Sequence, residues 1–359
     1  MRALFICKRR PQGRDLLDRP YGRFYHLPVN LAQRGHHVRV LLCSHHNVKP
    51  EARSSDGVEW ISNDLRTLGP FALLQELERE AKSFKPDWVI ACSDAWYGYL
   101  AHRLAESTGA QLAVDAYDNY ESYMPWNLPL HWGWRRAVGR ARLVTAAGPQ
   151  LAERLQSHRR GGAPVAILPM AADPEFRPLD RDSCRTSLGL DVDATYVGYV
   201  GSWSANRGSN MLIDAFRLAR KSRPDLQLLL SGKPPRDVLA EEGVMATGYL
   251  PDEAMPMLLN SLDLACIVTA ETGFGRYSYP AKLCEAMACQ VPVLATATAA
   301  VNWMLDASED HLSPVGDAQE FSRRMLKLLD RPVAAYPAAP TWDSIAAEME
   351  ALLAAGANP

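Results

Sequence analysis

The chain predicts an α/β protein made of two doubly wound, mainly parallel sheets, one in each half. Three observations carry this reading. Short apolar runs alternate with amphipathic stretches throughout, the pattern of strands covered by helices on both faces. The rhythm breaks at the polar, proline-containing segment "AADPEFRPLDRD" (171–182) and then restarts. A length of 359 residues also exceeds what one core usually organises.

In the first half, "ALFIC" (3–7), "VRVLL" (38–42), "DWVIAC" (87–92), "QLAVDA" (111–116), "LVTAA" (143–147) and "VAILP" (165–169) read as buried strands. Helical patterns fall between them at 24–35, ended by Gly35, and at 98–108, ended by Gly109. The second set of strands is "TYVGYVG" (195–201), "LQLLLSG" (226–232), "VMATGY" (244–249), "LACIVTA" (264–270) and "VPVLAT" (291–296). Helices are expected at 209–222 and 281–289. The expected domains are 1–168 and 169–339, followed by a final helix over 340–359 that returns to the first domain.

With 47% apolar and 22% charged residues, the composition is that of an ordinary globular protein. A net charge of −2 gives no global case for nucleic acid as a partner. The start "MRALFICKRR" has too short an apolar run for a signal peptide, and no stretch approaches the ~20 apolar residues of a membrane span. A cytoplasmic protein is expected. Seven cysteines form no CxxC pair, and the pairs His36-His37 and His45-His46 lack acidic or Cys partners at ligand spacing, so no metal site is expected.

Two strand-to-helix junctions could carry chemistry. In "GYVGSWSANRGSNMLIDAF" (198–216), Gly201 ends a strand, Arg207 and Gly208 follow, and Ser209 is placed to cap the helix. A helix start beside an arginine attracts phosphate; a glycine turn with one solvated arginine would look the same. In "TAETGFGRYSYPAKLCEAMA" (269–288), Ser278 is the candidate cap and Pro280 suits the helix opening. Lys282 and Glu285 lie off the apolar stripe of Leu283, Cys284, Met287 and Ala288. They read either as a surface ion pair or as an anion site with a carboxylate for a ribose diol.

These junctions, with several further segments, resemble the retaining GT-B glycosyltransferases of the large family 4 type. "MATGYLPDEAMPMLLNSLDLACIVTA" (245–270), "PAKLCEAMACQVPVLAT" (280–296) and "PTWDSIAAEMEALL" (340–353) are similar to family segments in the same order. So are "LAQRGHHVRVL" (31–41) and "AILPMAADPEFRP" (166–178) in the first half and at the linker. The resemblance implies the GT-B fold, two doubly wound Rossmann-like domains facing a central cleft. It implies sugar transfer from a nucleoside-diphosphate sugar, UDP- or GDP-linked, with retention of anomeric configuration and without a metal or other cofactor. The other readings are a non-catalytic nucleotide-sugar-binding partner of another transferase, or a GT-B epimerase.

Residue by residue, Glu285 occupies the position of the family's ribose-binding glutamate. Arg207 takes the place of the lysine of the diphosphate clamp, and Ser202 stands where the clamp's arginine is usual. Lys233 or Arg276 are candidates for the missing charge. Tyr277 stands at the family's other glutamate position, with Glu271 further upstream. Gly201, Gly208, Gly275, Ser278 and Lys282 complete the expected donor site. Tyr117 replaces a histidine that touches the transferred sugar, and Asp118 matches the aspartate after it. Catalysis is accordingly assigned to Arg207, Asp118 and Tyr117, and acceptor contacts to Arg23 and Asp94, the latter also a candidate helix cap. The acceptor is expected to be a glycan, a lipid-linked intermediate or a small molecule.

One segment remains. In "MPWNLPLHWGWRRAVGRARLV" (124–144), three of the nine tryptophans stand just ahead of Arg135, Arg136, Arg140 and Arg142. If 132–142 is helical, Trp134, Val138 and Ala141 share one side while Arg136 and Arg140 stack on another. Either the tryptophans pack against the first domain, or 126–142 makes a peripheral contact with the inner face of the membrane.

Overall fold

The computed structural model describes residues 1–159, 161–201, 203 and 208–357. The chain divides into two units. One is Met1–Met170 together with Thr341–Pro359; the other is Ala171–Pro340.

The first unit holds β1 (Arg2–Lys8), β2 (His37–Ser44), β3 (Glu51–Ser55), β4 (Val58–Asp64), β5 (Trp88–Ala91), β6 (Gln111–Ala116), β7 (Leu143–Ala146) and β8 (Ala166–Ile167). They form one sheet in the order β3-β4-β2-β1-β5-β6-β7-β8. Every neighbouring pair is parallel except β3 and β4. The central strands are buried on both faces, as the unbroken apolar runs require; Leu4, Ile6, Val89 and Ile90 are fully enclosed. Helices cover the faces through periodic stripes such as Leu73, Leu77, Ala81 and Phe84 of the Pro70–Phe84 helix.

The β3–β4 hairpin lies outside the strands expected from sequence. Its turn is Asp56-Gly57, with φ of 53° and 78°, the double positive φ of a type I′ turn. β3 is a largely exposed edge strand, and the apolar period that marks the other strands is missing from it.

The last helix, Trp342–Ala357, belongs to the first unit. Trp342 is buried and stacks on His26, and Glu350 takes contacts from Arg34 Nε at 2.6 Å and His36 Nε2 at 2.7 Å. Glu350 ties this helix to the region just before β2.

The second unit holds β9 (Tyr196–Tyr199), β10 (Gln227–Ser231), β11 (Val244–Gly248), β12 (Leu264–Ile267), β13 (Val293–Thr296) and β14 (Leu312–Ser313). Its sheet is parallel throughout, in the order β11-β10-β9-β12-β13-β14. Alternate residues feed two separate apolar layers. Tyr196, Leu229, Ala265 and Val293 enter one, and Val197, Leu228, Leu264 and Leu294 the other. Helices flank both faces, which is the doubly wound arrangement expected.

All seven cysteines are buried. Among the described residues, no three His, Cys, Asp or Glu side chains converge as metal ligands, and no helix is long and apolar enough to cross a membrane.

Candidate functional site

Counted from β9, the second sheet runs third, second, first, fourth, fifth, sixth. This is the dinucleotide-binding order, whose crevice opens beyond the carboxyl ends of the first and fourth strands, where the winding direction reverses. The two junctions singled out in the sequence leave those strands, β9 and β12, and they lie against each other. A Cβ on Gly208 would sit 3.7 Å from the Ala270 amide nitrogen. Gly208 has φ of +80°, which favours glycine. Gly275 is held by a different constraint, since a Cβ there would lie 2.0 Å from the Ala270 carbonyl oxygen. The loop after β12 folds back on itself, and only glycine fits that approach.

Two expected caps are corrected. Gly208, not a serine, is the N-cap of the Ser209–Ser222 helix, and no side chain caps it. Its left-handed backbone brings Ser209 in as the first helical residue, fully buried, with Oγ making no hydrogen bond among the described residues. Ser278 closes the short turn Gly275–Tyr277, its amide donating to the Gly275 carbonyl at 3.2 Å. Pro280 is then the N-cap of the Ala281–Ala288 helix, again without a side-chain cap. Elsewhere in the unit Asp180, Thr298 and Asp317 do cap their helices. Thus the two helices at the reversal point present first-turn amides that no capping side chain occupies, which is how a helix end receives an anion.

Lys282 and Glu285 do pair, through Glu285 Oε2 at 2.8 Å. The carboxylate is well covered, with 13% of its side chain exposed, and sits one turn inside the helix. Gly201 ties the end of β9 to β10, its amide donating to Ser231 Oγ at 3.0 Å. Just beyond β10, Lys233 is exposed, with Nζ 5.6 Å from the ring of Tyr249. Tyr249, directly after β11, is 78% exposed and is missing from the site expected on sequence. An aromatic immediately after a strand-ending glycine, Gly248, was the available signal. Arg276 and Glu271 are exposed and Tyr277 is half-buried. Arg207 and Ser202 lie outside the described residues.

In the first unit, Tyr117 and Asp118 directly follow β6. Asp118 is buried, its Oδ1 accepting the Asn119 amide at 2.8 Å and its Oδ2 the Tyr123 hydroxyl at 2.8 Å. Tyr117 stands edge-on to Phe24 and Tyr120; burial, then the charge of Asp118, pushes its hydroxyl up to about 12. Asp94, just after β5, caps the Ala95–Thr108 helix by accepting the Trp96 amide at 3.0 Å. Burial raises its pKa, against the pull of that amide and of Lys8.

Arg23 is not placed as the acceptor contact it was expected to be. Its side chain is 1% exposed and forms a two-pronged bond to Asp115, with Nε and Nη2 at 2.7 and 2.6 Å. Nη1 donates to the Pro169 carbonyl and Thr145 Oγ1 to the same Asp115. Asp115 on β6 and Thr145 on β7 are register partners, so the arginine is drawn into the sheet.

Comparison with known proteins agrees with this geometry. Residues 194–331 match the family model described as "Glycosyl transferases group 1", and residues 23–171 that of "Glycosyl transferase 4-like domain". Together they take in about four fifths of the chain. The D-inositol 3-phosphate glycosyltransferase of Segniliparus rotundus is 26% identical over 45% of this chain and only 39% of that relative. The sucrose-phosphate synthase of Thermosynechococcus elongatus superposes with a TM-score of 0.70 at 18% identity, covering 99% of this chain and 96% of that one. The Anabaena HepE protein, solved in complex with UDP, gives 0.68 at 17% identity, covering 99% and 97%. The chain belongs to the group 1 glycosyltransferases, of the family 4 type, with the GT-B fold.

Proposed function

We propose that the protein transfers a sugar from a nucleoside-diphosphate sugar, UDP- or GDP-linked, to an acceptor hydroxyl with retention at the anomeric carbon. One observation carries the reading: two helix starts without capping side chains flank the reversal point of a dinucleotide-type sheet, with Glu285 one turn inside the second. Phosphate meets the amides, and the carboxylate accepts hydrogen bonds from the ribose diol. Departure of the diphosphate places negative charge where helix ends and cations already point, and preorganised stabilisation of that kind commonly contributes more to catalysis than any other effect. Lys233 just beyond β10, Arg276 in the loop after β12 and Lys282 in the helix that follows are the described cations assigned to this role, and Arg207 is added on sequence grounds. With that charge supplied by the protein, the reading assigns no metal or other cofactor. Retention follows a front-face route in which the leaving oxygen takes the acceptor proton, so no pair of glycosidase carboxylates is needed. Tyr117 and Asp118 are proposed to contact the transferred sugar. The UDP bound by HepE and the inositol phosphate acceptor named for the Segniliparus protein support the substrate classes.

The test is turnover. Incubation with UDP- and GDP-sugars and a pool of glycan, lipid-linked and polyol acceptors should release nucleoside diphosphate. Proton NMR of the product should show the donor's anomeric configuration kept. Nucleotide binding without any release points instead to a non-catalytic partner, and release of the free epimerised sugar to an epimerase.

A further inference from the structure

The Leu128–Arg140 helix of the first unit is pinned by one face and divided along the other. Leu130, Trp134, Ala137 and Val138 are buried, and Trp134 packs so closely on Gly98 that a Cβ there would meet Trp134 Cε3 at 2.5 Å. On sequence, all the tryptophans of this segment could pack inward; only Trp134 does. Trp126, Leu128 and Trp132 are 76%, 70% and 64% exposed. Arg135, Arg136 and Arg140 follow on the same outer face, all exposed. They line an open cavity of about 370 Å³ with Gly139, Ser157 and His158.

The charge in this cavity is only partly compensated. Buried Glu121 accepts from Arg135 and from Arg154, each at 2.6 Å, and lies 3.6 Å from His158 Nε2. Burial alone would raise the Glu121 carboxyl, but His158 and the two arginines bring it down to about 2. Glu121 is thus an anion already in use. Arg136 and Arg140 have no carboxylate partner among the described residues, and the Arg136 guanidinium lies 5.7 Å from the Trp132 ring centre.

We propose that this face docks on an anionic phospholipid surface, with Trp126, Leu128 and Trp132 entering the headgroup region and the arginine-lined cavity receiving lipid phosphates. Leu128, Trp132, Arg136 and Arg140 recur every four residues, so one face of the helix offers apolar groups and guanidiniums together to a surface lying alongside it. Large exposed rings beside unpaired arginines fit a surface that is apolar below and anionic above. With a net charge of only −2, the attraction has to come from this local patch rather than from the molecule's overall charge. The inference does not depend on the donor assignment and is read without turnover.

The experiment is co-sedimentation of the full chain with vesicles of phosphatidylcholine alone or with 30% phosphatidylglycerol as the probe. The protein should pellet with the anionic vesicles at low salt and be released as salt screens the charges. The double variant Arg136→Glu/Arg140→Glu should lose about tenfold or more of this binding. Trp126→Ser/Trp132→Ser should lose a similar share while melting at the wild-type temperature. Three outcomes would overturn the proposal: no pelleting with anionic vesicles at low salt, pelleting unaltered in both variants, or displacement by millimolar glycerol phosphate, which would mark a soluble-phosphate site.

Discussion

Arg23→Ala should lower the stability of the protein by about 3–5 kcal/mol, the usual cost of removing one partner of a buried ion pair. Arg23 and Asp115 side chains are each 1% exposed, so the variant leaves a carboxylate inside the sheet with Thr145 as its remaining side-chain donor. The Pro169 carbonyl, at the end of the first unit, loses its donor as well. Urea denaturation followed by circular dichroism is the measurement, and an early transition assigned to the first unit is the expected result. Arg23→Lys should recover only part of the loss, because an ammonium cannot span both carboxylate oxygens. Were Arg23 an acceptor ligand, the Ala variant would unfold like wild type and lose only transfer.

The second large effect belongs to Glu285. Its replacement by Ala should weaken UDP or GDP binding by about 1–3 kcal/mol, or roughly 5- to 150-fold in Kd, the range for lost charge-assisted hydrogen bonds. The melting temperature should hardly move, since the buried stripe of that helix is Leu283, Cys284, Ala286 and Met287. Lys282→Ala removes the same ion pair and leaves the carboxylate, so by calorimetry it should cost less affinity than Glu285→Ala. If Glu285 serves only to hold Lys282, the two variants will lose affinity equally.

The parallel strands were legible because burial on both faces leaves an apolar run: β6 occupies 111–116 and the Ser209–Ser222 helix 209–222, as expected. The β3–β4 hairpin was not, since β3 is exposed along most of its length and "EARSS" carries a single apolar residue; the Asp-Gly turn was its only signal. Within the site, residue types at the two junctions could be read from spacing, but the caps could not. Whether Ser209 caps or enters the first turn is decided by the φ of Gly208. Arg23 misled for a related reason. The sequence assigns Arg23 to the acceptor because no spacing in it marks Asp115 as its partner; only the register of β6 and β7 reveals the buried carboxylate waiting for it. Tyr249 became visible once β10 and β11 were seen side by side, with Lys233 against its ring.

The central claim is that a nucleoside diphosphate binds where β9 and β12 end in the second unit. Amide hydrogen exchange of the whole protein, with and without saturating UDP or GDP, tests it most directly. The account predicts slowed exchange in two separate stretches, about 208–211 and 270–285, because the first-turn amides of the two helices donate to the phosphates. Bound nucleotide that leaves both stretches unprotected, or protects only the first unit, would contradict it.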